Sequence, residues 1–179
     1  QQRIDLGDAG AAGGVRSKRI LVMGDSIAGN VATAAQKLQS DLGVQVGDAT
    51  SAGCVLPGVT SARTTINMRT QVIEFNPCTD TWTPGATEFG DGTVLLVYGT
   101  AAAFTDLQVD GHWMSACDSG YQAWYAEQLR SIVRQFPPGD DVRLALIPSI
   151  EGSWVPSDSN KRIACINAVH RAVADSEPN

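Results

Sequence analysis

A serine follows a short apolar run near the start of the chain, in the stretch RILVMGDSIAGNVA (residues 19–32). A serine hydroxyl is a weak nucleophile until a base takes its proton, and it can then form an ester with an acyl group. Ser26 would lie at the N-terminus of the helix that follows, where backbone N–H groups favour developing negative charge. Ser26 is therefore either a nucleophile with part of an oxyanion site, or, with Asp25, merely the N-cap of a helix.

Alternating strand and helix patterns predict the elements that position this serine. Short runs rich in apolar residues predict strands at 19–23, 44–49, 93–99 and 142–148. Helical spacing predicts three helices. The first covers 27–42, with apolar positions at Val31, Ala34, Ala35 and Leu38. The others run from Asp118 or Ser119 to about 136 and from 157–159 to about 173. The alternation predicts an α/β fold with a mostly parallel sheet.

The composition of the chain indicates its domain organisation. Residues 1–18 are polar and rich in Gly and Ala, and we interpret them as a linker or disordered terminus. Residues 19–179 form one α/β domain, within which 57–92 is rich in Thr, Pro and Gly and is predicted to be irregular. A doubly wound sheet would normally receive another strand after the last helix, so we expect this domain to be truncated at its C-terminus and to lack its last strand.

Composition and charge exclude several classes of function. The net charge of −6 disfavours a nucleic-acid surface, whose footprint would be basic. No run of roughly 18 apolar residues is present, so no segment is predicted to span a membrane. The motifs GxGxxG and GxxxxGK[ST] are absent, which predicts no nucleotide cofactor. With two histidines and no CxxC pair, the sequence predicts no metal site.

Four widely spaced cysteines, Cys54, Cys78, Cys117 and Cys165, allow two interpretations. An even number of such residues is typical of two disulfides in an oxidising compartment, with three possible pairings. The alternative is four buried free thiols in a cytosolic protein.

The two histidines are candidates for the base that Ser26 would need. His112 follows the third predicted strand, and Asp110 could orient its ring, in a Ser26–His112–Asp110 arrangement. The alternative is an Asp-Gly turn followed by an exposed histidine and a packed tryptophan. We interpret His170 as an ordinary histidine on the surface of the last helix.

Some aromatic and acidic residues have weaker patterns. Trp82, Trp113 and Trp154 are all predicted in loops, where they would stack on sugar rings or cover the edge of the core. Asp106 and Asp110 are interpreted as solvated carboxylates.

Several stretches resemble one enzyme family. VMGDSIA is similar to block I of the SGNH (GDSL-like) hydrolases, and SAGCVLPG (residues 51–58) is similar to block II, in which Gly53 takes the place of an oxyanion glycine. The further pieces NPCTDTW, VDGHW, CDSGYQAWYAEQL and CINAVHRAV resemble the SGNH domain attached to actinobacterial membrane acyltransferase-3 proteins. The resemblance implies a three-layer, flavodoxin-like SGNH fold outside the cytoplasm. It also implies the disulfides Cys54–Cys78 and Cys117–Cys165.

The chain departs from the family pattern in two places. Block III is Gly-x-Asn, whose amide completes the oxyanion hole, but this sequence has Gly99-Thr100-Ala101. The Thr100 hydroxyl or a backbone N–H is the candidate substitute. Block V, Asp-x-x-His, does not occur in these residues, and if the domain is truncated it would follow Asn179.

The function expected from the resemblance is an extracytoplasmic serine O-acyltransferase or acylesterase acting on acyl groups, acetyl foremost, of a cell-surface glycan. Ser26 would carry the acyl group, and Asp25, Gly53 and Thr100 would form the oxyanion and substrate site. The expected partners are a glycan, an acyl donor and a membrane acyltransferase domain of the same polypeptide. The alternative is a catalytically inactive SGNH-fold module that binds or positions a glycan for a partner acyltransferase.

Overall fold

The computed structural model describes residues 5–6, 18–53, 55–66, 69–75, 92–137, 140–152 and 155–177. Strands and helices alternate along most of this part of the chain. In chain order the elements are β1 (Asp5–Leu6), β2 (Lys18–Gly24), α1 (Ser26–Leu42), β3 (Val44–Thr50), β4 (Val59–Ile66), β5 (Arg69–Glu74), β6 (Thr93–Val97), α2 (Thr100–Phe104), β7 (Asp106–Val109), β8 (His112–Met114), α3 (Ser119–Val133), β9 (Asp141–Leu144) and α4 (Ser159–Ser176).

Five strands form a mostly parallel sheet, sheet A, in the order β1-β3-β2-β6-β9. Only β1, at one edge, is antiparallel to its neighbour. The strand order reverses between β2 and β6, and ligands of open α/β sheets bind at the carboxyl ends of strands at such a point. The predicted α/β class with a mostly parallel sheet is confirmed. The segment predicted as a linker contributes β1 and the first residue of β2 to this sheet.

The central strands of sheet A are buried on both faces. Leu21, Met23 and Leu96 belong to the main core, which also contains side chains of α2, α3 and α4. Val22 and Val46 belong to a smaller cluster beneath α1. Because alternate residues of a strand point to opposite faces, a strand with helices on both sides is apolar at every position. This explains why the predicted strands at 19–23 and 93–99 are continuous apolar runs.

Helix α1 packs on sheet A through small residues. Ala28 and Ala32 are fully buried, whereas Val31 is 36% and Leu38 51% exposed. Of the apolar positions whose spacing predicted this helix, Val31, Ala34 and Leu38 are therefore exposed and Ala35 is half-buried. Alanine allows the helix axis to approach the sheet more closely than larger side chains would.

The other four strands form an antiparallel sheet, sheet B, in the order β5-β4-β7-β8. The prediction that 57–92 is irregular is wrong for β4 and β5, which lie within it. Asp110 and Gly111 connect β7 to β8 with positive φ angles of 50° and 79°, as a tight hairpin turn of the Asp-Gly type requires. Trp113 lies in β8 rather than in a loop.

Helices α3 and α4 begin where the sequence predicted, with Asp118 and Asp158 as their N-cap residues. A disulfide joins Cys117, just before α3, to Cys165 in α4, with 5.4 Å between the Cα atoms. This predicted pairing is confirmed. Cys54 and Cys78 lie outside the described residues, so the predicted pairing between them stays a prediction.

Candidate functional site

The chain turns sharply from β2 into α1 at the residues that hold Ser26. Gly24 adopts a φ of 148°, and a Cβ at this position would overlap the carbonyl oxygen of Val97 in β6. Asp25 is the N-cap of α1, and its Oδ1 accepts a hydrogen bond of 2.9 Å from the N–H of Ile27. Because Asp25 caps the helix, Ser26 is left as its first residue, with an exposed side chain.

Asp25 is 6% exposed, although it lies next to the exposed Ser26. Burial is the largest influence on its pKa and raises it above the usual aspartate value, while hydrogen bonds from the N–H groups of Ile27 and Ala28 act in the opposite direction. These two N–H groups belong to the first turn of α1 and hold the carboxyl against the helix end. Asp25 therefore stabilises the first turn of α1, in which Ser26 lies.

Gly53 reaches the same place from the loop after β3. The N–H of Ser51 donates a 3.0 Å hydrogen bond to the carbonyl oxygen of Gly24, which ties this loop to the end of β2. Gly53 has a φ of 77°, and nothing lies within 4 Å of where its Cβ would be. Glycine is thus required here by the backbone conformation rather than by lack of space.

Thr100 enters the site at the start of α2. Gly99, with a φ of 92°, is the N-cap of this five-residue helix, and a Cβ on it would lie 2.7 Å from Oη of Tyr125. A Cβ at this position would also lie 2.8 Å from Cγ2 of Ile166, so the packing leaves no room for a side chain at residue 99. Ala101 follows Thr100 in the first turn of α2.

A pocket of about 230 Å³ brings these loops together. Four of the predicted site residues line it: Asp25, Ser26, Gly53 and Thr100. The remaining wall is apolar and comes from residues that the sequence did not predict as site residues, namely Ile27, Val55, Phe75, Ala101 and Phe104. Phe75 directly follows β5 and Phe104 is the last residue of α2, so an aromatic residue at the end of a short element was the only local signal for them.

His112 is not among the residues that line the pocket. It begins β8, where it pairs with Val109 and has an exposed side chain. Asp110 occupies the hairpin turn between β7 and β8. The alternative prediction, an Asp-Gly turn followed by an exposed histidine, is therefore the one that describes this segment.

His170 is buried, and its prediction as a helix-surface residue is wrong. Its Nδ1 donates to the carbonyl oxygen of Ala145 at 2.8 Å, so its unprotonated Nε2 accepts from the hydroxyl of Tyr125 at 2.7 Å. Burial is the main cause that lowers the pKa of His170 to about 4, and the bond to Ala145 opposes it. A neutral histidine with both nitrogens engaged supports the core and has no free nitrogen to serve Ser26.

Asp106 also differs from its prediction, and two of the predicted loop tryptophans cannot be compared with theirs. Asp106 is not a solvated carboxylate, since it forms ion pairs of 3.0 Å with Arg63 and 2.9 Å with Arg162, joining sheet B to α4. The guanidinium of Arg63 also lies 4.7 Å from the ring centroid of Trp113. Trp82 and Trp154 lie outside the described residues.

The described part of the chain contains no cluster of three or more His, Cys, Asp or Glu side chains arranged to hold a metal ion. None of its helices combines the length and apolar character needed to cross a membrane. A scan against models of protein families finds no match, and a search of curated proteins finds no significant relative.

Proposed function

We propose that Ser26 is the nucleophile of an SGNH-type acyl-transfer domain. The observation that carries the proposal is the position of Ser26: it is exposed at the first residue of α1, at the carboxyl end of the central strand, and it lines a pocket with Gly53 and Thr100. Asp25 takes the capping role, so the serine hydroxyl is not used by the helix.

In the proposed reaction, the N-terminus of α1 carries the nucleophile and contributes N–H groups to the oxyanion site. Oγ of Ser26 attacks the carbonyl carbon of an acyl ester, and a general base takes the proton of the hydroxyl. The oxyanion that forms is held by N–H groups, for which Ser26 and Gly53 are the candidates. When the intermediate collapses, the bond to the leaving oxygen breaks, that oxygen takes a proton, and the acyl group stays on Ser26. Water or a sugar hydroxyl then receives it.

The strand order and the disulfide support the wider assignment. The order β3-β2-β6-β9 fits four strands of a flavodoxin-like sheet, with helices on both faces. The disulfide between Cys117 and Cys165 fits an oxidising compartment outside the cytoplasm. In this proposal the acyl acceptor or donor is a cell-envelope glycan, and the domain works beside a membrane acyltransferase domain of the same polypeptide.

A second candidate function is a non-catalytic module that positions a glycan for a partner acyltransferase. It is favoured by Ala101, which lines the pocket where the family has an amide donor, and by the positions of both histidines. Loss of one oxyanion donor typically costs about 10²- to 10³-fold in rate. The absence of a base beside the serine lowers the rate by a further large factor.

Intact-mass spectrometry after treatment with a fluorophosphonate separates the two functions. With imidazole added as a diffusible base, because neither histidine lines the pocket, we expect one adduct on the wild type and on Ser40→Ala, which changes another exposed serine of α1, and no adduct on Ser26→Ala. The same series is repeated without imidazole. Labelling of Ser26 only with imidazole would mean that the oxyanion site works but that this chain supplies no base. Absence of a Ser26-dependent adduct under both conditions would overturn the nucleophile and favour the binding module.

A further inference from the structure

We infer that the pocket beside Ser26 selects an acyl group of about four to eight carbon atoms, with Phe75 and Phe104 as the side chains that set this preference. The inference rests on the proposed function, because it names the substrate class of the same site. It departs from the acetyl group that the family resemblance implies.

The chemistry of the wall indicates an alkyl occupant. The apolar side chains of Ile27, Val55, Phe75 and Phe104 line most of the pocket. Its described lining has no amide, guanidinium or ammonium side chain, and the buried Asp25 carboxyl already accepts a hydrogen bond from α1. A sugar ring would find few partners for its hydroxyls here, mainly the hydroxyls of Ser26 and Thr100 at one side, whereas an alkyl chain needs none.

The size of the pocket sets the length of the chain. A cavity of about 150 Å³ lined by apolar side chains holds a benzene molecule with six carbon atoms. The pocket beside Ser26 has about 230 Å³. It is smaller than the roughly 300–1,000 Å³ sites that hold whole drug-sized ligands. Two acetyl carbons would leave most of this space unfilled, and a chain of intermediate length would fill it.

The two phenylalanines are held by elements outside the parallel sheet. Phe75 follows β5, and its N–H donates a 2.9 Å hydrogen bond to the carbonyl oxygen of Thr60 in β4. Phe104 is the last residue of α2, and only Thr105 separates it from β7. Both side chains are half-buried and pack against the main core. Sheet A therefore places the nucleophile, while the end of β5 and the segment joining sheet A to β7 shape the space for the acyl chain.

Binding without covalent chemistry tests the pocket by itself. The probes are acetamide, butyramide, hexanamide and octanamide, titrated into Ser26→Ala and followed by the backbone amide NMR signals of Gly53 and Ala101. We expect the dissociation constant to fall by about fourfold per methylene from acetamide to hexanamide, and to level off at octanamide. A flat series would overturn the inference.

A variant that fills the pocket provides the matched comparison. Ala101→Leu, made in the Ser26→Ala background, should raise the dissociation constant of hexanamide by at least about tenfold. The dissociation constant of acetamide should not change, because only the longer chain contacts the added side chain. Leu38→Ala changes an exposed residue of α1 that does not line the pocket, and it should keep the full series. If Ala101→Leu folds and binds the four amides with unchanged dissociation constants, the alkyl chain does not occupy this pocket and the inference is wrong.

Covalent labelling separates this inference from the proposed function. Methyl- and hexyl-fluorophosphonates are compared on the wild type by intact mass. Faster labelling of Ser26 by the hexyl reagent supports both proposals. Equal rates would retain the nucleophile and overturn the selection of chain length. Rising amide affinities with no labelling by either reagent, whether or not imidazole is added, would retain the pocket and overturn the nucleophile.

Discussion

The buried histidine predicts a loss of stability in mild acid. His170 is 1% exposed, and its pKa is lowered from 6.5 to about 4 in the folded protein. Below pH 6.5 the unfolded chain therefore binds a proton that the folded chain does not, so the free energy of unfolding falls as the pH drops from 6.5 toward 4 and then levels off. One pKa unit corresponds to about 1.4 kcal/mol. The full loss is about 3 kcal/mol, of which about 2 kcal/mol occurs between pH 7 and pH 5.

Urea unfolding at several pH values measures this loss. His170→Gln removes the titrating group, and its amide can still donate to Ala145 and accept from Tyr125, so we expect a flatter profile between pH 7 and pH 5. His112→Gln changes the exposed histidine of β8 and serves as the control, with the wild-type slope retained. Charged groups elsewhere in the chain act equally on all three proteins. Parallel profiles for the wild type and His170→Gln in this interval would refute the assignment of the loss to His170.

Two further predictions concern the covalent and backbone constraints on the fold. Replacing both Cys117 and Cys165 by serine releases a 48-residue link and should lower the free energy of unfolding by about 4 kcal/mol in the chain-entropy estimate; a change below about 1 kcal/mol in urea unfolding would contradict it. Gly24→Ala should cost more than about 3 kcal/mol, because the new Cβ overlaps the Val97 carbonyl in addition to the unfavourable φ. Gly43 has a φ of 62° and nothing within 4 Å of its Cβ position, so Gly43→Ala should lower the free energy of unfolding only by the cost of the φ angle, about 1–2 kcal/mol. Equal losses of stability at the two positions would contradict a cost from the overlap with Val97.

The parallel sheet and the position of Ser26 could be predicted because their signals are local. Each central strand is a continuous apolar run, and a glycine ends the first of them directly before Asp25 and Ser26. A helix pattern starts directly afterwards, so Ser26 must lie between the end of the strand and the start of the helix. The four predicted residues of the pocket come from three such strand ends, and parallel strands bring their carboxyl ends to one edge.

Sheet B and the apolar wall could not be predicted in the same way. Strand β4, VTSARTTI, is mostly polar, because its hydroxyls and Arg63 serve cross-strand contacts: Ser61 donates to Glu74, and Arg63 pairs with Asp106. Threonine favours a pleated backbone through its branched side chain, but it adds little to an apolar alternation. The pocket wall then depends on where β5 and α2 end relative to sheet A. This is a long-range property that no short stretch carries.

Helices α1 and α4 show that spacing and side-chain size must be considered together. In α4 the inward positions Ile163, Ile166, His170 and Val173 keep helical spacing, so His170 could have been assigned to the buried face from its position. In α1 the larger apolar residues also keep helical spacing, yet the helix contacts the sheet through Ala28 and Ala32. The reason is the close approach at this site: Gly24 leaves no room for a Cβ, and a Cβ on Gly29 would lie 3.1 Å from Oγ1 of Thr50. Where glycines bring a helix this near to a strand, the small residues mark the buried face. The same closeness holds the N-terminus of α1, and with it Ser26, against the ends of β2 and β6.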